Sequence, residues 1–140
     1  LRVVATFSVL GDLVTNVAGD AAEVVTLVGP DGDAHTFDPS PRDGMTIADA
    51  AVIFENGVGF ETWLDKLHAS SGSKATRVVV TAGLKLRGGE RDPGPDENVG
   101  AGHAHEDDPH VWHDVKNAMH MVGVIRDRLC ELDPPHADRY

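Results

Sequence analysis

Residues 2–28 read RVVATF, SVLGDLVTNVAGDAA and EVVTLV, and this one pass lays out a strand, a helix and a second strand. The flanking runs, 2–7 and 23–28, are β-branched and nearly continuous in apolar residues, the pattern of strands covered on both faces. Between them Val9, Leu10, Leu13, Val14 and Val17 recur at helical spacing, and Gly19 supplies a stop. Two further runs of the same kind lie at 51–55 and 77–81. The spacing leaves room for a crossover helix each time, as in parallel strand–helix–strand units. A Pro- and Asp-rich loop at 29–41 leads into a short helix near 42–48, and Phe60, Trp63, Leu64 and Leu67 mark another amphipathic helix. The expected fold is α/β, a four-stranded parallel sheet flanked by helices with right-handed crossovers.

The stretch 88–109 has a different composition. It carries Gly88, Gly89, Pro93, Gly94, Pro95, Gly100 and Gly102 among many charges, and only Val99, Ala101 and Ala104 as apolar residues. Such a segment buries too little surface to offset chain ordering and is expected to be a mobile surface loop. Order resumes at Asp108-Pro109-His110. Asp114 reads as an N-cap for a helix whose apolar stripe is Val115, Ala118, Met119, Val122, Ile125 and Leu129. Asp133-Pro134-Pro135 ends that helix, and residues 137–140 read as the first turn of another element.

The 140 residues are one domain's worth of chain, and 41% hydrophobic with 25% charged residues is a globular composition. Twelve Lys and Arg against 23 Asp and Glu leave a formal net charge of −11. That balance argues against nucleic acid, whose binding needs cationic neutralisation of phosphates, and against an anionic membrane surface. It favours small cations. No apolar run approaches the roughly 18 residues of a membrane span. The chain opens on Leu1-Arg2-Val3-Val4, so any secretory signal is expected to precede this numbering. Cys130 is alone and cannot form an internal disulfide.

Eight histidines are present, and five of them, His103, His105, His110, His113 and His120, lie within 18 positions. Ligands of parallel sheets sit outside the carboxyl ends of the strands, on the loops that follow. His35 lies on the loop after the second strand, and His110 follows the fourth strand and its long loop. Imidazole suits zinc and other transition metals, and two residues 75 apart can share a site only through the fold. Spacing alone leaves open a metal pair or two surface histidines.

Three segments, GPDGDAHTFDPSPRD (29–43), ENGVGFETWLDKL (55–67) and DPHVWHDVKNA (108–118), carry a resemblance that covers the chain. In this order they resemble the metal-binding solute-binding proteins of ABC transporters for zinc and manganese, the TroA-like and ZnuA-like receptors. The resemblance implies two α/β lobes joined by one long helix, with the metal clamped between them. It implies that His35 is the first ligand and His110 the second. A third (His or Glu) and a fourth (usually Asp) would come from a C-terminal lobe. Residues 1–140 are then the N-terminal metal-binding lobe, with 137–140 the start of the interlobe helix and the C-terminal lobe absent. The implied function is extracytoplasmic capture of a divalent metal, in the periplasm or lipid-anchored to the outer face of the membrane, and delivery to an ABC permease. Such a protein is not an enzyme. Self-association is a possible consequence of the missing lobe.

Zinc is preferred to manganese because zinc favours nitrogen-rich, low-coordinate sites and manganese more oxygen. His103 and His105, beside Glu106, Asp107 and Asp108, resemble the His-rich loops of zinc members; they read as an accessory capture loop or as a solvated linker. His113 lies three residues beyond His110, either within reach of a metal or at the surface. Asp38 either orients a ligand imidazole, as oxygen acceptors commonly do, or serves a turn. Because imidazole binds as the neutral base, metal holding is expected to weaken below about pH 6.5. Two other functions fit the composition. One is a metal-dependent hydrolase built on His35, His110 and a carboxylate such as Asp38. The other is an adhesive surface lipoprotein. No H-E-x-x-H, G-x-S-x-G or P-loop motif is present to support the first.

Overall fold

The computed structural model describes residues 1–86 and 107–140. Four parallel strands, β1 (Arg2–Phe7), β2 (Glu23–Val28), β3 (Val52–Glu55) and β4 (Thr76–Val79), form one sheet in the order β2-β1-β3-β4. The helices are α1 (Ser8–Ala18), α2 (Pro41–Ala48), α3 (Leu64–Ser71) and α4 (Val115–Leu132). The first crossover runs outward from β1 to β2, whereas the next two step the other way, to β3 and β4. Right-handed connections in opposite directions put α1 on one face and α2 and α3 on the other. The packing agrees: α2 lies on α3, and α4 returns to lie on α1. The order reverses between β1 and β3, the switch point at whose carboxyl ends ligands of such sheets bind.

The expected α/β fold with its four-stranded parallel sheet is therefore present, and its inner and outer strands differ. Val3, Val4 and Ala5 of β1 and Val52, Ile53 and Phe54 of β3 are completely buried. On β2 and β4 most side chains are only half-buried or exposed. Burial on both faces thus holds for the inner pair alone. A β-branched run looks the same at an edge, where one flank of the sheet has no neighbouring strand. Gly19 does end α1, with φ +54°. Gly11 has a packing role: a Cβ there would fall 2.2 Å from Thr26 Oγ1, so α1 lies directly against β2.

Two expectations need correction. Phe60 and Trp63 precede α3, which begins at Leu64, and are buried in the turn that leads to it. On α4 the buried line is Met121, Ile125 and Leu129, while Val115 and Met119 are 73% and 69% exposed. The reason is angular. At about 100° per residue, Met119 stands about 120° round the helix from Ile125, beyond the stripe that faces the core. Asp114 caps α4 as expected, accepting from Lys116 N–H at 2.9 Å. Ser40 and Asp43 form a capping box at α2. After α4 a 3-10 helix, Pro134–Arg139, is pinned by Asp133, which accepts from Tyr140 Oη and contacts His136 Nδ1. Of the 88–109 stretch, only residues 107–109 are among those described.

Candidate metal centre

The loop after β2 and the turn that leads into α4 converge. His35 Nε2 and His110 Nε2 lie 3.3 Å apart, although the residues are 75 positions apart in the chain. Two nitrogens bound about 2.0–2.1 Å from one ion at a tetrahedral angle stand about 3.3 Å from each other. The imidazole pair therefore has the spacing of one edge of a four-coordinate zinc shell.

The positioning of each ring can be traced. Asp33 Oδ1 accepts the backbone N–H of His35 at 2.9 Å, and its Oδ2 accepts the Thr36 hydroxyl at 3.0 Å. Trp63 Nε1 donates to the carbonyl of Ala34 at 2.8 Å. Asp108 Oδ1 accepts the backbone N–H of His110 at 3.0 Å and lies 2.8 Å from His110 Nδ1. An ionised carboxylate can only accept, so the proton sits on Nδ1 and the Nε2 lone pair is left for a metal. The hydrogen bond from the His110 backbone, followed by that from its ring, holds the Asp108 carboxyl below its usual range; the His35 backbone and Thr36 do the same for Asp33.

Beneath the pair lies an aromatic floor. Phe60 meets the His35 ring edge-on at 4.6 Å between centroids and the His110 ring at 5.9 Å. Phe7, at the end of β1, and Trp112 pack against Phe60 in turn. The residues around Gly57 form the tight turn after β3. Gly57 has φ +80°, and a Cβ there would meet Val79 Cγ1 at 2.5 Å. The neighbouring Val58 also has positive φ, 56°, a strained conformation for a β-branched residue. Glu61, buried among Thr6, Asn56 and Gly57, has its carboxyl raised by burial, against the pull of its hydrogen bonds.

The remaining candidates are placed differently. The His113 ring stacks at 6.5 Å from that of His110 and is exposed. Asp38 is exposed, and among the described residues no hydrogen bond joins it to either imidazole. His103 and His105 lie outside the described residues. Among the described residues no group of three His, Cys, Asp or Glu side chains is arranged to hold a metal. The orienting residues Asp33 and Asp108 escape a reading focused on ligands, yet they left a signal. Asp33-Ala34-His35 and Asp108-Pro109-His110 repeat the same Asp-x-His spacing.

The fold is that of metal-binding periplasmic proteins, a parallel α/β layer structure, here with two imidazoles side by side. The chain belongs to the family described as zinc-uptake complex component A, periplasmic, whose model matches residues 3–140. It is 36% identical over 140 residues to the manganese-binding lipoprotein MntA of Halalkalibacterium halodurans, covering 100% of this chain and 42% of that protein. It is 35% identical over 131 residues to the zinc-binding lipoprotein AdcA of Streptococcus pneumoniae, covering 92% of this chain and 26% of AdcA. The Mn-bound periplasmic metal-binding protein of Candidatus Liberibacter asiaticus superposes with a TM-score of 0.84 at 30% identity, over 99% of this chain and 48% of that one. The Zn(II)-bound ZnuA-like domain of Streptococcus pneumoniae AdcA gives 0.79 at 28% identity, over 99% of this chain and 47% of that one. The chain thus spans less than half the length of these relatives. Among the described residues no helix is long and apolar enough to cross a membrane.

Proposed function

We propose that residues 1–140 are the N-terminal, metal-holding lobe of an extracytoplasmic receptor that captures zinc and passes it to an ABC permease. The observation that carries this reading is the 3.3 Å separation of His35 Nε2 and His110 Nε2, held from loops at the carboxyl edge of the sheet. The ion is cargo, and the chain's task is coordination and release, not turnover. His35 and His110 supply two neutral nitrogens. The other two positions of a four-coordinate shell are filled from outside this chain: by a second lobe in the full receptor, and by water or a second copy in the isolated chain. The relatives named as lipoproteins and periplasmic proteins support an extracytoplasmic place. Zinc is chosen over manganese because the two ligands in hand are nitrogens on an aromatic floor. A hydrolase reading would need a carboxylate as third ligand, and among the described residues no hydrogen bond joins Asp38 to either imidazole.

The test is a calorimetric titration of the chain with zinc and then manganese, beside the His35→Ala/His110→Ala double variant. The expected result is one zinc per chain in excess metal, weaker manganese heat, and loss of the zinc heat in the variant. Equal binding by parent and variant would overturn the assignment. Sedimentation at limiting zinc adds a check on self-association. Two half-sites can share one ion, so dimers are expected there and not in the double variant.

A further inference from the structure

Each of the two histidines is preceded by a peptide unit that is gripped at both ends. For His110, the N–H of the unit donates to Asp108 Oδ1 at 3.0 Å, and its carbonyl, that of Pro109, accepts from Asn56 Nδ2 at 2.9 Å. For His35, the N–H donates to Asp33 Oδ1 at 2.9 Å, and the carbonyl, that of Ala34, accepts from Trp63 Nε1 at 2.8 Å. The two arrangements match part for part: a carboxylate two residues upstream takes the N–H, and a buried side-chain N–H from the β3–α3 turn region takes the carbonyl. A peptide plane fixed at both ends fixes the direction in which the following Cα–Cβ bond leaves the backbone. That direction aims the imidazole.

The chemistry of the two donors supports this role. Asn56 is fully buried, and its amide nitrogen serves two carbonyls, Pro109 at 2.9 Å and Gly57 at 3.2 Å. Its Oδ1 is buried without a hydrogen-bond partner among the described residues. An unpaired buried oxygen costs stability, so the position is explained by the donors it provides. Asn56 is itself anchored by Glu61, whose Oε1 accepts its backbone N–H at 2.7 Å and the Thr6 hydroxyl at 2.6 Å. The Thr81 hydroxyl donates to the Asn56 carbonyl at 2.6 Å. Trp63 is also buried, so neither donor is diluted by water.

We propose that Asn56 and Trp63 are paired positioning residues, Asn56 aiming His110 and Trp63 aiming His35, so that the two imidazoles are set to a metal's spacing before the metal arrives. The proposal rests on the metal-receptor reading above. It is tested with Asn56→Ala, Trp63→Phe and Ile125→Val, the last a core change on α4 that sets the scale for general destabilisation. Long-range proton–nitrogen spectra of the imidazoles are recorded on the metal-free chain, followed by zinc titration. The expected pattern is crossed: Asn56→Ala shifts the His110 resonances and spares His35, and Trp63→Phe does the reverse. Each lowers zinc affinity by roughly tenfold, at the low end for residues that orient a ligand from behind. Ile125→Val moves neither ring. Unmoved rings, or affinity losses that merely track the fall in melting temperature across all three variants, would overturn the proposal. If the parent takes up no zinc, the receptor reading fails, and the metal-free spectra alone still decide the clamp. Should a variant not fold, Asn56→Ser and replacement of Trp63 by its benzothienyl analogue, which keeps the shape and lacks the N–H, take their places.

Discussion

Asp108 does two things to His110 at once, holding its backbone N–H and fixing the proton on Nδ1. Removing the carboxylate frees the ring to rotate and to exchange tautomers, so part of the population turns the wrong nitrogen toward the ion. Asp108→Ala is expected to weaken zinc binding by about 10- to 100-fold. The melting temperature should change little, because the group is exposed; calorimetry paired with a thermal melt checks both halves. Among the described residues no carboxylate accepts from the His35 ring; Asp33 accepts its backbone N–H and Phe60 meets the ring edge-on. At this scale the sequence singled out the two histidines but not the groups that hold their backbone. His35 and His110 stand in distinctive segments, whereas Asn56 and Trp63 act on carbonyls 53 and 29 residues away. Such contacts exist only once the chain has folded. Asp38, a carboxylate that could have oriented an imidazole, is left exposed by the loop, with no hydrogen bond to either ring among the described residues.

Among the elements, α1 and its strands were readable because apolar periodicity and the Gly19 stop agree. The third helix was less readable: Phe60 and Trp63 have helical spacing relative to Leu64 and Leu67, but they serve the turn and the site. On α4 too many apolar residues compete for one stripe, and the packed helix buries only Met121, Ile125 and Leu129 completely. The fit of α1 on β2 leads to a definite expectation. Alanine normally improves a helix over glycine by close to 1 kcal/mol. At Gly11 the added Cβ meets Thr26 Oγ1 at 2.2 Å, and the helix must lift or the threonine must turn. Gly11→Ala is therefore expected to destabilise the protein by about 1–3 kcal/mol, as overpacked cores do. Urea unfolding of the variant checks the sign.

For the whole molecule, the parallel layer structure follows from four apolar runs and the lengths between them, but strand order does not. Nothing local distinguishes β2 and β4 as the outer pair. His35 hangs from the loop after β2, at one margin of the sheet. His110 stands just ahead of α4, the helix that packs on α1. A metal seated between them is thus a rivet joining the β2 margin to the turn that leads into α4. Amide hydrogen exchange makes the consequence visible. Edge strands open by local fraying, while inner strands exchange only when the molecule opens as a whole. Zinc should slow exchange in β2 and in the first turn of α4 together, in step and far more than in β1 and β3. Two segments that otherwise fray independently then open as a single unit.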